Sequence, residues 1–372
     1  MMSEEIVIIG NSFSGLGTAI ACAKHGYQVT VIAPNNQSSF IGGLQIAPNG
    51  LAALSSLGVE QEILNKAVRL LAVHIKAFDT AVSLTNIPLS SNNAPYVSIA
   101  RQDLYEILLS KCLTNSLVNF MDARVLAITS KNNHTRLALD TGEIITAPII
   151  IGADGWDGKT RHFVSPSARQ KNSGYSIYRG IFPASKVPAG FSYPDVQLWL
   201  GISCHLVSYP IQNSQAVNFV FAFSERAFES HSIDAIFCNH PVLSMLGEYT
   251  RNWYLTPIKQ FDSLSNWRRG GITLIGDAAH PMPPHLAQGA GQSFMDVASI
   301  ENGLGTGLTL SNAISNMITT RMPEAHSVAK KSQLSGNIFR LNSPIAGLRN
   351  QLISMAGQKV ISDFLQDLWL TA

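Results

Sequence analysis

Apolar residues recur along this chain in two rhythms. Residues 5–9 form a short, nearly unbroken apolar run, which predicts a buried strand. A Gly/Ser loop follows. A helix-like stretch over 14–25 ends at Gly26, a residue suited to the left-handed turn that closes helices. Residues 27–32 are a second β-branched run, completing a βαβ unit at the start of the chain. Pro48-Asn49-Gly50 opens a helix through Leu57. Over 101–112, Leu104, Ile107 and Leu108 fall at helical spacing. Strands are predicted over 124–129 and 135–139, on either side of a turn at Lys131-Asn132-Asn133. Residues 144–151 read as one continuous buried strand.

From 173 to 223 the rhythm changes to alternation, as in Gln197-Leu198-Trp199-Leu200, with many Tyr, Phe, Trp, Val and Ile. Such alternation marks antiparallel strands, and residues 72–98 are expected to join them. After Trp267 the first pattern returns, and helices fill most of the remainder. The amphipathic stretch 345–370 reads as a helix packed on the core. The chain therefore predicts an α/β fold. A nucleotide-binding domain is assembled from residues 1–70, 99–171 and 263–372, the last segment including C-terminal helices. A second domain of antiparallel sheet, built from 71–98 and 172–262, is inserted into it to carry the substrate.

Composition narrows the picture. Apolar residues make up 46% and charged residues 13%, as in a globular chain. The net charge of +2 and the lack of a basic run interleaved with aromatics give no footprint for nucleic acid. No uninterrupted apolar stretch is long enough for a transmembrane helix. The acidic start of the chain is unlike a signal peptide, and four scattered cysteines suggest reduced thiols and no metal site. The expected location is the cytoplasm.

Candidate chemistry lies in short motifs. Ile272-Thr273-Leu274-Ile275 ends in Gly276-Asp277-Ala278-Ala279-His280-Pro281, then Pro283, Pro284 and the small-residue helix start Gly289-Ala290-Gly291-Gln292. A strand delivers one carboxylate, Asp277, able to accept hydrogen bonds from sugar-like hydroxyls. The glycine-rich helix start can receive an anion or an electron-rich ring edge. Near the N-terminus, Gly10-Asn11-Ser12-Phe13-Ser14-Gly15 sits where a dinucleotide fingerprint would sit, with serine in place of its middle glycine. The second strand ends in Ala33-Pro34 where an acid for the adenosine ribose is expected. Its loss would weaken dinucleotide binding about tenfold unless Asn35, Asn36 or a water substitutes. Further pieces are Gly42-Gly43-Leu44-Gln45, Arg101-Gln102-Asp103-Leu104 and Gly152-Ala153-Asp154-Gly155.

In this order the motifs resemble those of the FAD-dependent aromatic-ring hydroxylases, the flavoprotein monooxygenases of the p-hydroxybenzoate and salicylate hydroxylase type. The resemblance runs from about Glu5 to about Leu341. It implies a Rossmann-like FAD-binding domain held to FAD by Gly10, Ser12, Phe13, Ser14, Gly15, Gly43, Arg101, Asp154, Asp277, Pro284, Gly289, Ala290, Gly291 and Gln292. It also implies that NAD(P)H reduces the flavin, that O2 then forms a C4a-hydroperoxide, and that a small aromatic or related unsaturated substrate is hydroxylated. The cofactor performs the difficult step, so no nucleophilic side chain is required. Substrate contacts are expected among Tyr178, Trp199, His205, Tyr209, Phe219 and Phe221. His205, His285 and Tyr178 are the catalytic candidates, a histidine being able to deprotonate a phenol. Two rival readings stay open: a redox-inactive flavin-fold binding protein, motivated by Ser12, Ala33 and Met295, and a flavin oxidase or reductase without oxygen insertion.

Overall fold

The computed structural model describes residues 5–35, 41–89, 95–131, 134–229, 232–248 and 253–369. Its central sheet comprises β1 (Glu5–Ile9), β2 (Gln28–Ala33), β8 (Val118–Asp122), β12 (Ile149–Gly152), β18 (Arg268–Arg269) and β19 (Ile272–Leu274). The spatial order is β18-β19-β12-β1-β2-β8, parallel except for the β18 edge. Most of these strands are apolar on both faces, as burial under helices requires. The chain begins at β1, moves one way to β2 and later returns on the other side as β12. A crevice therefore opens at the carboxyl ends of β1 and β12, where strand order reverses.

Helices α1 (Phe13–Lys24), α2 (Pro48–Ser56), α3 (Glu60–Lys66), α4 (Arg101–Leu113) and α5 (Lys159–Val164) belong to this part of the fold. Ser12 caps α1, and Pro48 opens α2 at a position where its missing N–H costs nothing. A small sheet pairs β7 (Tyr96–Ala100) with β3 (Gly43–Ile46) and β4 (Val68–Leu70). Residues 96–98, expected in the inserted sheet, thus pair elsewhere. A third sheet holds β9 (Val125–Lys131), β10 (His134–Leu139) and β11 (Ile144–Ala147). The run 144–151 is therefore two strands and not one. Pro148 has no N–H for a ladder, and the chain leaves the antiparallel β11 pairing there to enter the parallel sheet as β12. Of the turn expected at 131–133, Asn132 and Asn133 lie outside the described residues.

The seven-stranded sheet runs β17 (Trp253–Phe261), β13 (Gln170–Pro183), β16 (Ala216–Ser224), β15 (Cys204–Ile211), β14 (Asp195–Leu200), β5 (Ala72–Ala77) and β6 (Ser83–Pro88). All neighbours are antiparallel except β14 and β5. Its back face carries an aromatic core that includes Phe182, Trp199, Phe219, Phe221 and Trp253, covered by α6 (Ile233–Phe237) and α7 (Met245–Glu248). The front face looks toward α8 (Gly289–Gly305), α9 (Leu310–Phe339) and α10 (Ile345–Trp369) across the site. No helix among the described residues is long and apolar enough to cross a membrane.

Candidate active site

The site is organised around the loop from β19 to α8. Gly276 has φ +56, and a Cβ there would stand 2.6 Å from Ser14 Oγ, so glycine alone fits this turn. Asp277 then emerges into a cleft, while Gly276 and Ala278 stay buried. Two buried devices fix the loop. On one side Arg161 of α5 donates to the carbonyls of Ala278 (2.8 Å) and Ala279 (3.2 Å). On the other, Asp296 of α8 accepts from Gly276 N (3.0 Å), His280 Nε2 (2.6 Å) and Arg321 Nε (3.2 Å). Solvent reaches Asp277 along the cleft, yet protein surrounds it closely enough that desolvation raises its pKa, against the pull of His280, Arg101 and Arg161.

The cleft has a volume of about 670 Å³. Ser12, Phe13 and Ser14 line it at the start of α1, and Gly289 and Ala290 at the start of α8. Neither helix carries an acidic residue in its first turn. Two positive helix ends therefore face one cavity, an arrangement that favours anionic groups. Asp277, Arg101, Pro284 and, from the seven-stranded sheet, Ile177 and Arg179 complete the lining relevant to chemistry.

Serine at the middle fingerprint position has its own employment. Its hydroxyl accepts from Gly15 N (3.3 Å) and donates to Ala153 O (2.8 Å), capping α1 and tying the β1 loop to the β12 loop. Gly10 and Gly15 lie behind the cleft surface. Gly10 has φ +102, and a Cβ there would sit 2.5 Å from Ala153 O, so it permits the two loops to touch. Gly291 packs against Gly50 of α2, and Gln292, 1% exposed, turns to Arg321 and Gln288. Asp154 also turns inward: its carboxylate accepts from the Thr160 amide and hydroxyl at the start of α5. These residues shape the loops that bound the cleft and do not line it.

A second chamber, about 480 Å³, adjoins the first. Leu44, Ile177, Arg179, Arg101 and Pro284 line both. Gly43 borders the second one, and a side chain there would meet Tyr209 at 2.8 Å. Strand alternation sorts the aromatic candidates. His205 and Tyr209 of β15 face the chamber with Ile177 and Arg179 of β13. Tyr178, Trp199, Phe219 and Phe221 point to the opposite face, where Tyr178 stacks on Phe223 with ring centroids 5.3 Å apart. Tyr178 is therefore displaced as a catalytic candidate.

The two histidines are also poorly suited as bases. Arg340 can only donate, so its contact with His285 Nε2 (3.2 Å) makes that nitrogen an acceptor and places the ring proton on Nδ1. Burial and Arg340 push the His285 pKa down to about 3. His205 lies against His285, 5.3 Å between ring centroids, and burial, His285, Arg340 and Arg349 hold its pKa well below the ordinary value.

Arg179 is the residue that sequence reading missed. Burial, with Arg101 adding repulsion and Tyr209 opposing, lowers its pKa to about 10, so it stays charged at the junction. The available signal was a cation within the mostly apolar second half of the strand, on the same face as Ile177.

The cleft fits FAD on the chain's own terms: two unacidic helix starts, one loop-fixed carboxylate and small residues where a ring would approach backbone. The acid missing from β2 has a neighbour in register. Asp122 of β8 pairs with Ala33 and accepts from Asn35 N (2.8 Å). Asn36 lies outside the described residues. Met295 is buried against Asn49 and Gln292, away from the cleft.

Residues 3–333 match the family model of the FAD binding domain. The chain is 30% identical to 3-amino-4-hydroxybenzoate 2-monooxygenase of Streptomyces platensis, over 94% of this chain and 92% of that protein. It is 27% identical to 3-hydroxybenzoate 6-hydroxylase 1 of Aquipseudomonas alcaligenes, over 98% and 96%. Its fold superposes on a point variant of Klebsiella pneumoniae HpxO complexed with FAD with a TM-score of 0.86 at 17% identity, covering 99% of each chain. A salicylate hydroxylase substrate complex gives 0.79 at 19% identity, over 99% and 98%.

Proposed function

Because this chain belongs to the FAD-dependent aromatic-ring hydroxylases, whose cofactor is FAD, we propose that it is a monooxygenase using NAD(P)H and O2 to hydroxylate an aromatic compound. The balance is one ring C–H, O2, NAD(P)H and a proton giving ring C–OH, water and NAD(P)+. Bound FAD would take electrons from NAD(P)H, activate O2 and supply the electrophilic oxygen. The relatives named for hydroxybenzoate chemistry support the aromatic class.

One observation carries the reading: an anion-favouring cleft opens directly onto an apolar chamber, and Arg101, Arg179, Ile177, Leu44 and Pro284 belong to both. Asp277 would accept from polyol hydroxyls. The start of α8 would face the ring end on which negative charge develops during reduction. The second chamber would shield the reacting ring from water, which protects a reactive oxygen donor. Arg179 and Arg101 would hold a phenolate or another ring-bound anion at the junction. With both chamber histidines held neutral, binding of an already ionised or ionising phenol beside Arg179 replaces the base expected from His205 or His285.

Two of the three features that suggested a redox-inactive protein have structural explanations. Ser12 caps α1 and Met295 packs away from the cleft. The test joins cofactor and chemistry. Purified protein is expected to be yellow, and Asp277→Ala should lose most of its flavin on gel filtration. Substrate-stimulated NAD(P)H oxidation should give a product carrying one atom of 18O from 18O2. A product without added oxygen would establish the oxidase or reductase reading. Unchanged flavin retention in Asp277→Ala would remove Asp277 from the cofactor site.

A further inference from the structure

On the reading that the ring is hydroxylated at the Arg179 junction, we infer that the substrate is an aromatic ring bearing a long apolar substituent, an alkyl or isoprenoid chain. On the sheet itself the polar lining of the second chamber is confined to the side near the cleft: Arg179 on β13 and, two strands on, Tyr209 and His205 on β15; Arg101, Gln45, Tyr96, His285 and Ser335 add polar atoms from outside the sheet. Register then fixes what lies beyond. Arg179 is opposite Val220, which is opposite Val207, then Leu198, then Ile75. In the flanking row Tyr209 packs in one cluster with Val196, which is opposite Val73 and then Ile87. Beyond β15 the floor is aliphatic in both rows.

From β13 to β5 is four inter-strand steps in the sheet order, roughly 19 Å at about 4.8 Å per step. That distance is several times the width of one aromatic ring. The volume of about 480 Å³ falls within the range of roughly 300–1,000 Å³ typical of pockets for drug-sized ligands, which are larger than a hydroxybenzoate. A small, doubly polar substrate would occupy only the part of this chamber beside Arg179.

The roof is apolar as well. Phe339 of α9 and Ile353, Ile361 and Leu365 of α10 close over Ile75, Leu198 and Leu200. The roof is a built feature, because the buried Arg349 of α10 donates to the carbonyls of Gly201 (3.1 Å), Ile338 (3.3 Å) and Phe339 (2.6 Å). These bonds lock α10 to the end of α9 and to the end of β14. Leu334 and Ile338 of α9, 59% and 40% exposed, also line the chamber, so its rim is oily too. A chain laid across the floor would bury its methylenes against aliphatic side chains on both sides, while the ring oxygen stays by Arg179.

The test is isothermal titration of the FAD-loaded protein with para-alkylphenols from ethyl to decyl. Kd should fall about three- to fourfold per added methylene until the floor is spanned, then level off. Ile75→Trp should move the tightest-binding chain length to shorter chains, and Leu198→Phe is the independent second variant, with circular dichroism checking that each is folded. A Kd that does not improve with chain length, or a chain-length profile unmoved in both folded variants, overturns the inference. The hydroxylase reading is judged separately. If long chains bind as described but give no 18O-labelled product, the reaction is wrong and the ligand class stands. If ethylphenol is hydroxylated while decylphenol binds no better, the reaction stands and the ligand class is wrong.

Discussion

Asp296→Asn should destabilise the protein strongly without touching any residue that lines the cleft. The Asp296 carboxylate is fully buried and accepts three hydrogen bonds, from the Gly276 amide, His280 and Arg321. Asparagine keeps the shape but offers one oxygen and an NH2 group, which cannot accept from any of the three donors. It also leaves the buried Arg321 guanidinium with Gln292 and the half-exposed Glu324 as partners. Breaking a buried ion pair from one side costs about 3–5 kcal/mol. At about 2.1 cal/mol/K per residue, the 372-residue chain has an unfolding entropy of roughly 0.8 kcal/mol/K, which translates that cost into a Tm drop of about 4–6 °C. The pH dependence has a definite sign. Burial alone would raise the Asp296 pKa, but His280, Arg321 and the Gly276 amide together bring it below the ordinary value. A depressed carboxylate contributes its stability above the unfolded pKa and loses it as pH falls through the folded one. The gap between wild type and variant, followed by thermal scans in excess FAD, should thus be constant from pH 5 to 8. It should shrink below about pH 4, near the ordinary aspartate value. A drop under about 1 °C at pH 7, or a gap that does not close in acid, would refute the account.

Ser12→Gly, which restores the family's glycine, should cost only a few tenths of a kcal/mol of stability while leaving FAD affinity equal or higher; weaker FAD binding would show the hydroxyl to be a ligand. Asp122→Ala should weaken FAD binding about tenfold if its carboxylate stands in for the acid absent from β2, as read by flavin fluorescence on titration of the apoprotein; unchanged affinity dismisses it. His285 should remain neutral to well below pH 5 by NMR of its ring nitrogens. Because its folded pKa, about 3, lies under the unfolded value, its contribution to stability is complete above about pH 6.5 and fades as pH falls; an imidazolium seen at pH 6 contradicts the buried Arg340 contact.

The frame was legible in the chain alone. The apolar runs at 5–9 and 272–275, the glycines at 10, 15 and 276, and the prolines at 281, 283 and 284 each answer to local geometry, so strand, tight turn and helix start could be read without any neighbour in space. The same locality explains Asp277, which sits at a strand end whatever the rest of the chain does. Which face a side chain presents, and what meets it there, came from the assembled fold. Alternation in β13 to β16 was visible, but its phase relative to the site was not, so Tyr178, Trp199, Phe219 and Phe221 looked equal to His205 and Tyr209 until the sheet's front was known. Arg179 became a site residue because β13 borders both chambers. Asp154 and Gln292 left the cleft because Thr160, six residues on, and Arg321, a helix away, satisfy them. Residue spacing encodes a local hydrogen bond or turn, whereas the partners of a buried polar group come from wherever the core brings the chain together.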